Sequence, residues 1–125
     1  IMYYQPVGYI NNIERDTIPY LYNALDMFVF PTRRKSESLG LVGLEAIACE
    51  TPLISSDAKG PLSYVKDKKN AYVFKQDDYN ALVETINTVK GLSSDALKKL
   101  ENNALKTAQE YDSTTMDSVL YKAFR

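Results

Sequence analysis

A chain of 125 residues, 45% hydrophobic and 25% charged, is one domain's worth of folded protein, able to bury roughly 65 to 70% of the surface its unfolded form exposes, and this composition excludes a disordered chain. A formal net charge of −1 gives no reason to expect a nucleic-acid partner, and one cysteine with no histidine excludes an internal disulfide and a Cys/His zinc cluster. No run approaches the ~18 apolar residues of a membrane span and no leader-like segment opens the chain, so a reducing cytoplasm is the expected compartment, while the isoleucine at position 1 suggests a piece cut from something longer.

Ile1 to Tyr9 reads as a strand, and Pro6 makes it an edge or irregular one. Asp16 can cap a helix with Pro19 in its first turn and Ile18, Leu21, Tyr22 and Leu25 on one face. Met27 to Pro31 is short, apolar and closed by proline, which predicts a buried strand. A helix over Leu39 to Cys49 follows, then a short buried strand over Pro52 to Ser55 and a loop over Asp57 to Lys59 at that strand's carboxyl end. Pro61 to Val65 reads as a helical turn, Lys66 to Asn70 as a turn and Ala71 to Phe74 as the last strand. Asp77 or Asp78 caps a helix through Lys90 with a stripe of Leu82, Val83, Ile86 and Val89. Ser93 or Ser94 caps another to about Tyr111, and Ser113 a final one through Phe124. Strands alternating with helices predict an α/β fold with a parallel sheet covered on both faces.

The most informative stretch is Ser36 to Ala46, which holds Glu37 and Glu45 eight positions apart, around the start of a helix that follows a strand. Open α/β sheets bind ligands at the carboxyl ends of their strands, and the free N–H groups of a helix start favour an anion there. An ionised carboxylate only accepts hydrogen bonds, so it suits a sugar diol and repels a phosphate unless backbone donors lie between them. With a helix beginning near Leu39 or Gly40, Glu45 lies roughly 7 Å along it while Glu37 stays in the loop ahead. One carboxylate can then hold a sugar at one end of a diphosphate and the other a ribose at its far end. Gly40 and Gly43 would let a phosphate approach the backbone, and Glu45 is expected on a solvent-facing wall. This is the outline of a nucleotide-sugar site.

At these residues the chain resembles the retaining glycosyltransferases of the GT-B fold, and most closely glycosyltransferase family 4. The matching text runs over Leu21 to Thr32, Glu37 to Cys49, Thr51 to Asp57 and Asn70 to Phe74, in order and over about half the chain. The resemblance implies that Glu37 contacts hydroxyls of the donor sugar and serves as the catalytic carboxylate, that the backbone of Leu39, Gly40, Leu41 and Val42 contacts phosphate, and that Glu45 holds the ribose. Two departures stand out: Glu50 occupies a position where the family usually has glycine, and Ala58-Lys59-Gly60 replaces a more glycine-rich turn. The resemblance further implies a Rossmann-like sheet, with residues 1–125 forming part of the C-terminal nucleotide-sugar-binding domain, truncated at its start. The acceptor, a sugar or a lipid-linked one, would be held by a separate N-terminal domain. Neither a cofactor nor a metal is implied, and the whole protein could touch the inner face of a membrane.

Other candidates carry bland readings beside the functional ones. Arg33 and Arg34, with Lys35, could touch donor phosphates or an anionic acceptor, against a solvated loop run. Asp57 could bind a hydroxyl or cap the next turn. Lys59 could lend charge to the diphosphate, Cys49 reads as a core thiol, and the ten tyrosines fit packing better than base stacking. The leading function is transfer of a sugar from a nucleotide diphosphate sugar to a hydroxyl, in cell-surface polysaccharide or glycoconjugate synthesis. The alternatives are a non-catalytic nucleotide-sugar-binding or assembly module, and a glycosidase whose carboxylates flank a bond at about 5 to 9.5 Å. In a sheet ordered 3-2-1-4-5-6, the resemblance puts Ile1 to Tyr9 at the third strand and Met27 to Phe30 at the fourth, so the two strands between them are absent and an apolar edge opens. These 125 residues alone are therefore expected to self-associate and to lack transferase activity.

Overall fold

The computed structural model describes residues 14–33 and 41–110, with Leu41 in its backbone alone. A 3-10 turn, Arg15–Thr17, leads into α1 (Ile18–Ala24), and β1 (Phe28–Phe30), α2 (Leu41–Ala48), β2 (Leu53–Ser56), α3 (Lys59–Leu62), β3 (Tyr72–Phe74), α4 (Tyr79–Lys90) and α5 (Ser94–Gln109) follow. The three strands form a sheet in the order β1-β2-β3. Both pairings are parallel, with Val29 opposite Ile54 and Ile54 opposite Tyr72. Parallel neighbours cannot be joined by a hairpin, so the chain crosses between them through helices.

Period-two alternation divides the apolar side chains between the two faces of this sheet. On one face Phe28, Phe30, Leu53 and Val73 pack with Leu44 and Ile47 of α2 and Ala104 and Ala108 of α5. On the other, Val29, Ile54, Tyr72 and Phe74 meet Leu82, Ile86 and Val89 of α4. Every residue of β2 is buried, as expected of a central strand covered from both sides. The fold is therefore the α/β arrangement expected from the alternation of strands and helices, a parallel sheet covered on both faces, in keeping with the Rossmann-like sheet that the resemblance implies.

Local chemistry explains the ends of the elements and corrects several expectations. Asp16 does not cap α1; it lies inside the 3-10 turn, where Thr17 Oγ1 donates to the Glu14 carbonyl at 2.6 Å. Leu25 falls beyond the helix and is exposed, and Val83 lies off the buried stripe of α4. The choice between Asp77 and Asp78 goes to Asp78, whose Oδ1 accepts the Ala81 N–H at 2.9 Å. Asp77 takes the left-handed backbone, φ 63°. Ser93 caps α5 by accepting from Ala96 N at 3.1 Å. The helical turn expected over Pro61 to Val65 begins earlier, at Lys59, and ends at Leu62. The predicted strand at Ile1 to Tyr9 and helix from Ser113 lie outside the described residues, and so does the edge argument built on the first of them.

Two positions show what glycine does in this fold. Gly43 is buried, and a Cβ built on it would overlap Tyr64 Oη and press on Leu53 at 3.3 Å. Its missing side chain lets α2 close onto the core, which corrects the expectation that it opens room for a phosphate. Glu50 follows α2 with φ 59°, a conformation that a residue bearing a Cβ adopts at a cost and glycine adopts freely.

Opposite outcomes follow. Gly43→Ala should destabilise the fold by about 1 to 3 kcal/mol, the usual result of overpacking, and Tyr64→Phe in that background should recover part of the loss. Urea denaturation checks this, and a cost below the scatter of surface substitutions would remove the close approach. Glu50→Gly should leave stability unchanged or raise it by up to about 1 kcal/mol; a clear loss would mean that the Glu50 side chain makes a contact worth more than the strain.

Candidate functional site

At the carboxyl end of the sheet the loops after the strands are tied to one another. Ser56 Oγ, at the end of β2, donates to the Thr32 carbonyl after β1 at 2.6 Å. Asp57 Oδ1 accepts the Gln76 N–H from the loop after β3 at 3.0 Å. Of the two readings open for Asp57, capping the next turn is excluded: the N-cap of α3 is Ala58, with no side-chain bond. Lys59 opens α3 and is exposed. Arg33 pairs with Asp77 at 3.1 Å between two exposed side chains, a contact of small energetic weight that a stronger anion could replace.

The first turn of α2 faces this end of the sheet, and its leading N–H groups have no acceptor within the helix. Tyr22, buried in α1, fixes that turn by donating its hydroxyl to the Val42 carbonyl at 3.3 Å. Thr51 Oγ1, just past α2, donates to the Tyr22 carbonyl at 2.7 Å. Both ends of α2 are thus held against α1. Glu37, Leu39, Gly40 and Arg34 lie outside the described residues, so the pairing of Glu37 with Glu45 has no geometry here.

Glu45 is described, and it is not on a solvent-facing wall. Its residue is 7% exposed, and its Oε1 is buried without a hydrogen-bond partner among the described residues. Burial raises its pKa to about 7, against the pull of Arg15, which lowers it. Burial also raises the Tyr22 hydroxyl and the Cys49 thiol, and the Glu45 charge adds to both shifts. Tyr22 and Glu45 are therefore buried near each other, with Cys49 half-buried beside them and Arg15 as a nearby cation. Arg15 and Tyr22 were not singled out from sequence as parts of a site. Nothing local marks them, because their nearness to Glu45 depends on how the 3-10 turn and α1 pack on α2. Among the described residues no cluster of three or more acidic, cysteine or histidine side chains could hold a metal, and no helix is long and apolar enough to cross a membrane.

Comparison with known proteins adds an independent line. A family model described as glycosyl transferases group 1 matches residues 5–107. The capsular polysaccharide biosynthesis glycosyltransferase CapM of Staphylococcus aureus is 35% identical over 65 residues, 52% of this chain and 17% of that protein. A D-inositol 3-phosphate glycosyltransferase of Salinispora arenicola is 42% identical over 53 residues, 42% of this chain and 11% of its own length. The matches thus span less than a fifth of these curated relatives. Among solved structures, sucrose-phosphate synthase from Thermosynechococcus elongatus superposes with a TM-score of 0.78 at 23% identity, covering 94% of this chain and 29% of that one. Anabaena HepE in complex with UDP-glucose gives 0.69 at 22% identity, with coverage of 82% and 28%. The C-terminal domain of a Francisella tularensis group 1 glycosyl transferase, LpcC, gives 0.68 at 21% identity, with coverage of 83% and 51%. At these identities the superpositions establish the fold: the Rossmann-like C-terminal domain of GT-B glycosyltransferases.

The Glu45 environment sets a pH dependence of stability. Its folded pKa lies above the ordinary value of 4.5, so the folded state binds the proton more tightly than the unfolded one. Stability from this group is full below about pH 4.5 and is lost as pH rises through about 7. Relative to Glu45→Gln, the wild type should lose on the order of 1 to 3 kcal/mol between pH 5 and pH 8. Parallel urea titrations of both proteins measure the difference, and parallel curves would mean that the carboxylate is hydrated in solution.

Proposed function

The chain belongs to the group 1 glycosyl transferases, and we propose that it supplies the donor-binding part of a retaining, family 4 type enzyme that moves a sugar from a nucleotide diphosphate sugar to a hydroxyl acceptor. In this reading residues 1–125 are a partial C-terminal domain, and the acceptor is held by an N-terminal domain elsewhere in the protein. The relatives named for capsular polysaccharide and inositol phosphate work and the neighbour holding UDP-glucose support a role in glycoconjugate or polysaccharide synthesis with a uridine nucleotide as a reasonable first donor to try.

The observation that carries the proposal is the unpartnered Oε1 of Glu45. A buried acceptor without a donor costs about 1 to 3 kcal/mol, and such groups are uncommon enough to require a reason. A ribose diol supplies two hydroxyl donors of the right kind. Once they bind, the carboxylate is satisfied and its ionised form is favoured. Glu45 thus binds and orients the nucleotide, and Arg15, near enough to lower its pKa, keeps negative charge tolerable there.

The remaining roles fall to groups around α2. Its leading N–H groups, at Leu41 and Val42, meet the diphosphate, whose negative charge grows as the sugar leaves, and the resemblance assigns phosphate contacts to the backbone of Leu39 and Gly40 as well. Arg33 adds a cation at the same end of the sheet once it exchanges Asp77 for phosphate, with Lys59 and Asp57 as further candidates on the neighbouring loop. Glu37 takes the donor sugar hydroxyls and positions the sugar that moves. The reaction needs neither a metal nor a general base from this part of the chain.

The two glutamates should separate kinetically in the whole protein. Glu45→Ala should lower affinity for a nucleoside diphosphate roughly tenfold or more, since hydrogen bonds to a charged group contribute about 1.5 to 3 kcal/mol. Glu37→Ala should reduce turnover more than nucleotide affinity. Calorimetric titration together with a sugar-transfer assay reads both. Unchanged affinity in Glu45→Ala would remove this residue from the site, and binding without turnover in the wild type would make the protein a nucleotide-sugar-binding module.

A further inference from the structure

A second cleft lies at the other end of the sheet, between the turn that leads into β3 and one face of α5. Its volume is about 530 Å³, and five lysines line it: Lys66, Lys68 and Lys69 from the turn, Lys99 and Lys106 from the helix. One carboxylate, Glu110, reaches its lining. Asp67, although it belongs to the turn, spends its Oδ1 on the Val73 N–H at 3.0 Å. Among the described residues none of these lysines is in an ion pair; the pair present is Arg33 with Asp77.

Exposed lysines are ordinarily a solvated surface, and three features distinguish these. The chain as a whole is slightly acidic, with a formal net charge of −1, so the concentration of cations is local. The lysines converge on a hollow from two separate elements, where like charges within a Debye length of roughly 8 to 10 Å repel. The framework that carries them is also fixed. Asn70, 3% exposed, accepts the Lys66 N–H at 2.7 Å and donates to the Tyr64 carbonyl at 2.9 Å and to Thr107 Oγ1 at 2.8 Å. Asn103, between Lys99 and Lys106 on α5, donates to the Lys69 carbonyl at 3.1 Å. Lys68 is held in the left-handed region, φ 66°, a conformation lysine adopts at a cost.

We propose that this cleft binds a multiply charged phosphate group, with Lys66, Lys68, Lys69, Lys99 and Lys106 as its cations. A hollow lined from two sides suits a compact polyanion, and lysine ammonium groups act on phosphate as point charges. The phosphate could be free or the headgroup of a lipid. The site is independent of Glu45, because it opens at the amino end of β3 whereas the donor reading concerns the carboxyl ends of the strands.

The test uses the whole protein and two probes: tripolyphosphate followed by calorimetry, and sedimentation with vesicles of phosphatidylcholine containing phosphatidic acid. Lys99→Glu with Lys106→Glu should weaken binding at least about tenfold, as should Lys66→Gln with Lys69→Gln on the turn. Lys98→Glu, on the same helix but outside the cleft lining, should bind like wild type. Binding of tripolyphosphate alone identifies a free phosphate as the ligand, and capture by the vesicles identifies a headgroup. Failure of the wild type to bind either probe, or equal losses in Lys98→Glu and the cleft variants, would overturn the proposal.

Discussion

A carboxylate oxygen buried without a donor is a standing cost to the fold, and the packing of α2 is organised around the one at Glu45. The helix that carries it is otherwise apolar, with Leu44, Ala46 and Ile47 buried on either side. On its own side of α2, Val42 and Cys49 are half-buried and Ala48 is exposed, so Glu45 is buried at the border of the core. Tyr22 covers the helix from α1 and binds the Val42 carbonyl, while Gly43 lets α2 settle onto Tyr64 and β2. The same closeness that stabilises the core leaves the carboxylate unsatisfied. A ligand that brings hydroxyl donors to such a group gains from pairing with it, and the proposed nucleotide ribose is one.

Much of the architecture was legible in the sequence because the strands are short, largely apolar runs set off by proline or turn residues. Leu53–Ser56 after Pro52 is the buried run expected, whereas Phe28–Phe30 before Pro31 forms the expected strand but is half-buried, because it pairs on one side only within the described sheet. The capping residues Asp78 and Ser93 were legible within one position, and what separates Asp78 from Asp77 is a backbone angle that the letters do not carry. Glu45 was singled out from the sequence and expected on a solvent-facing wall, whereas the structure buries it. The sequence feature that goes with its burial is that in Leu41–Ala48 it is the one charged side chain among apolar residues and glycine.

What sequence could not reach are contacts between distant segments. Asp57 with Gln76, Arg33 with Asp77 and Tyr22 with Val42 each join separate loops or helices. Each depends on the parallel sheet bringing the carboxyl ends of its strands together. The lysines of the second cleft are similar. Lys66, Lys68 and Lys69 read as a solvated turn until α5 is folded beside them, when Asn70 and Asn103 lock the two elements together. One domain thus carries a buried carboxylate on α2 and a basic hollow between the turn before β3 and α5, on a net charge close to zero.

The central claim is that Glu45 reads the ribose of a nucleotide, and the most direct measurement compares a nucleoside diphosphate with its 2′,3′-dideoxy analogue on the wild type and on Glu45→Gln. Calorimetric affinities for the four combinations form a closed cycle between carboxylate and diol. The account predicts that the wild type prefers the hydroxylated nucleotide by about tenfold or more, as expected for hydrogen bonds to a charged group, and that Glu45→Gln loses most of this preference. An equal preference in both proteins would contradict it, because the ribose hydroxyls would then be recognised by something other than the Glu45 carboxylate.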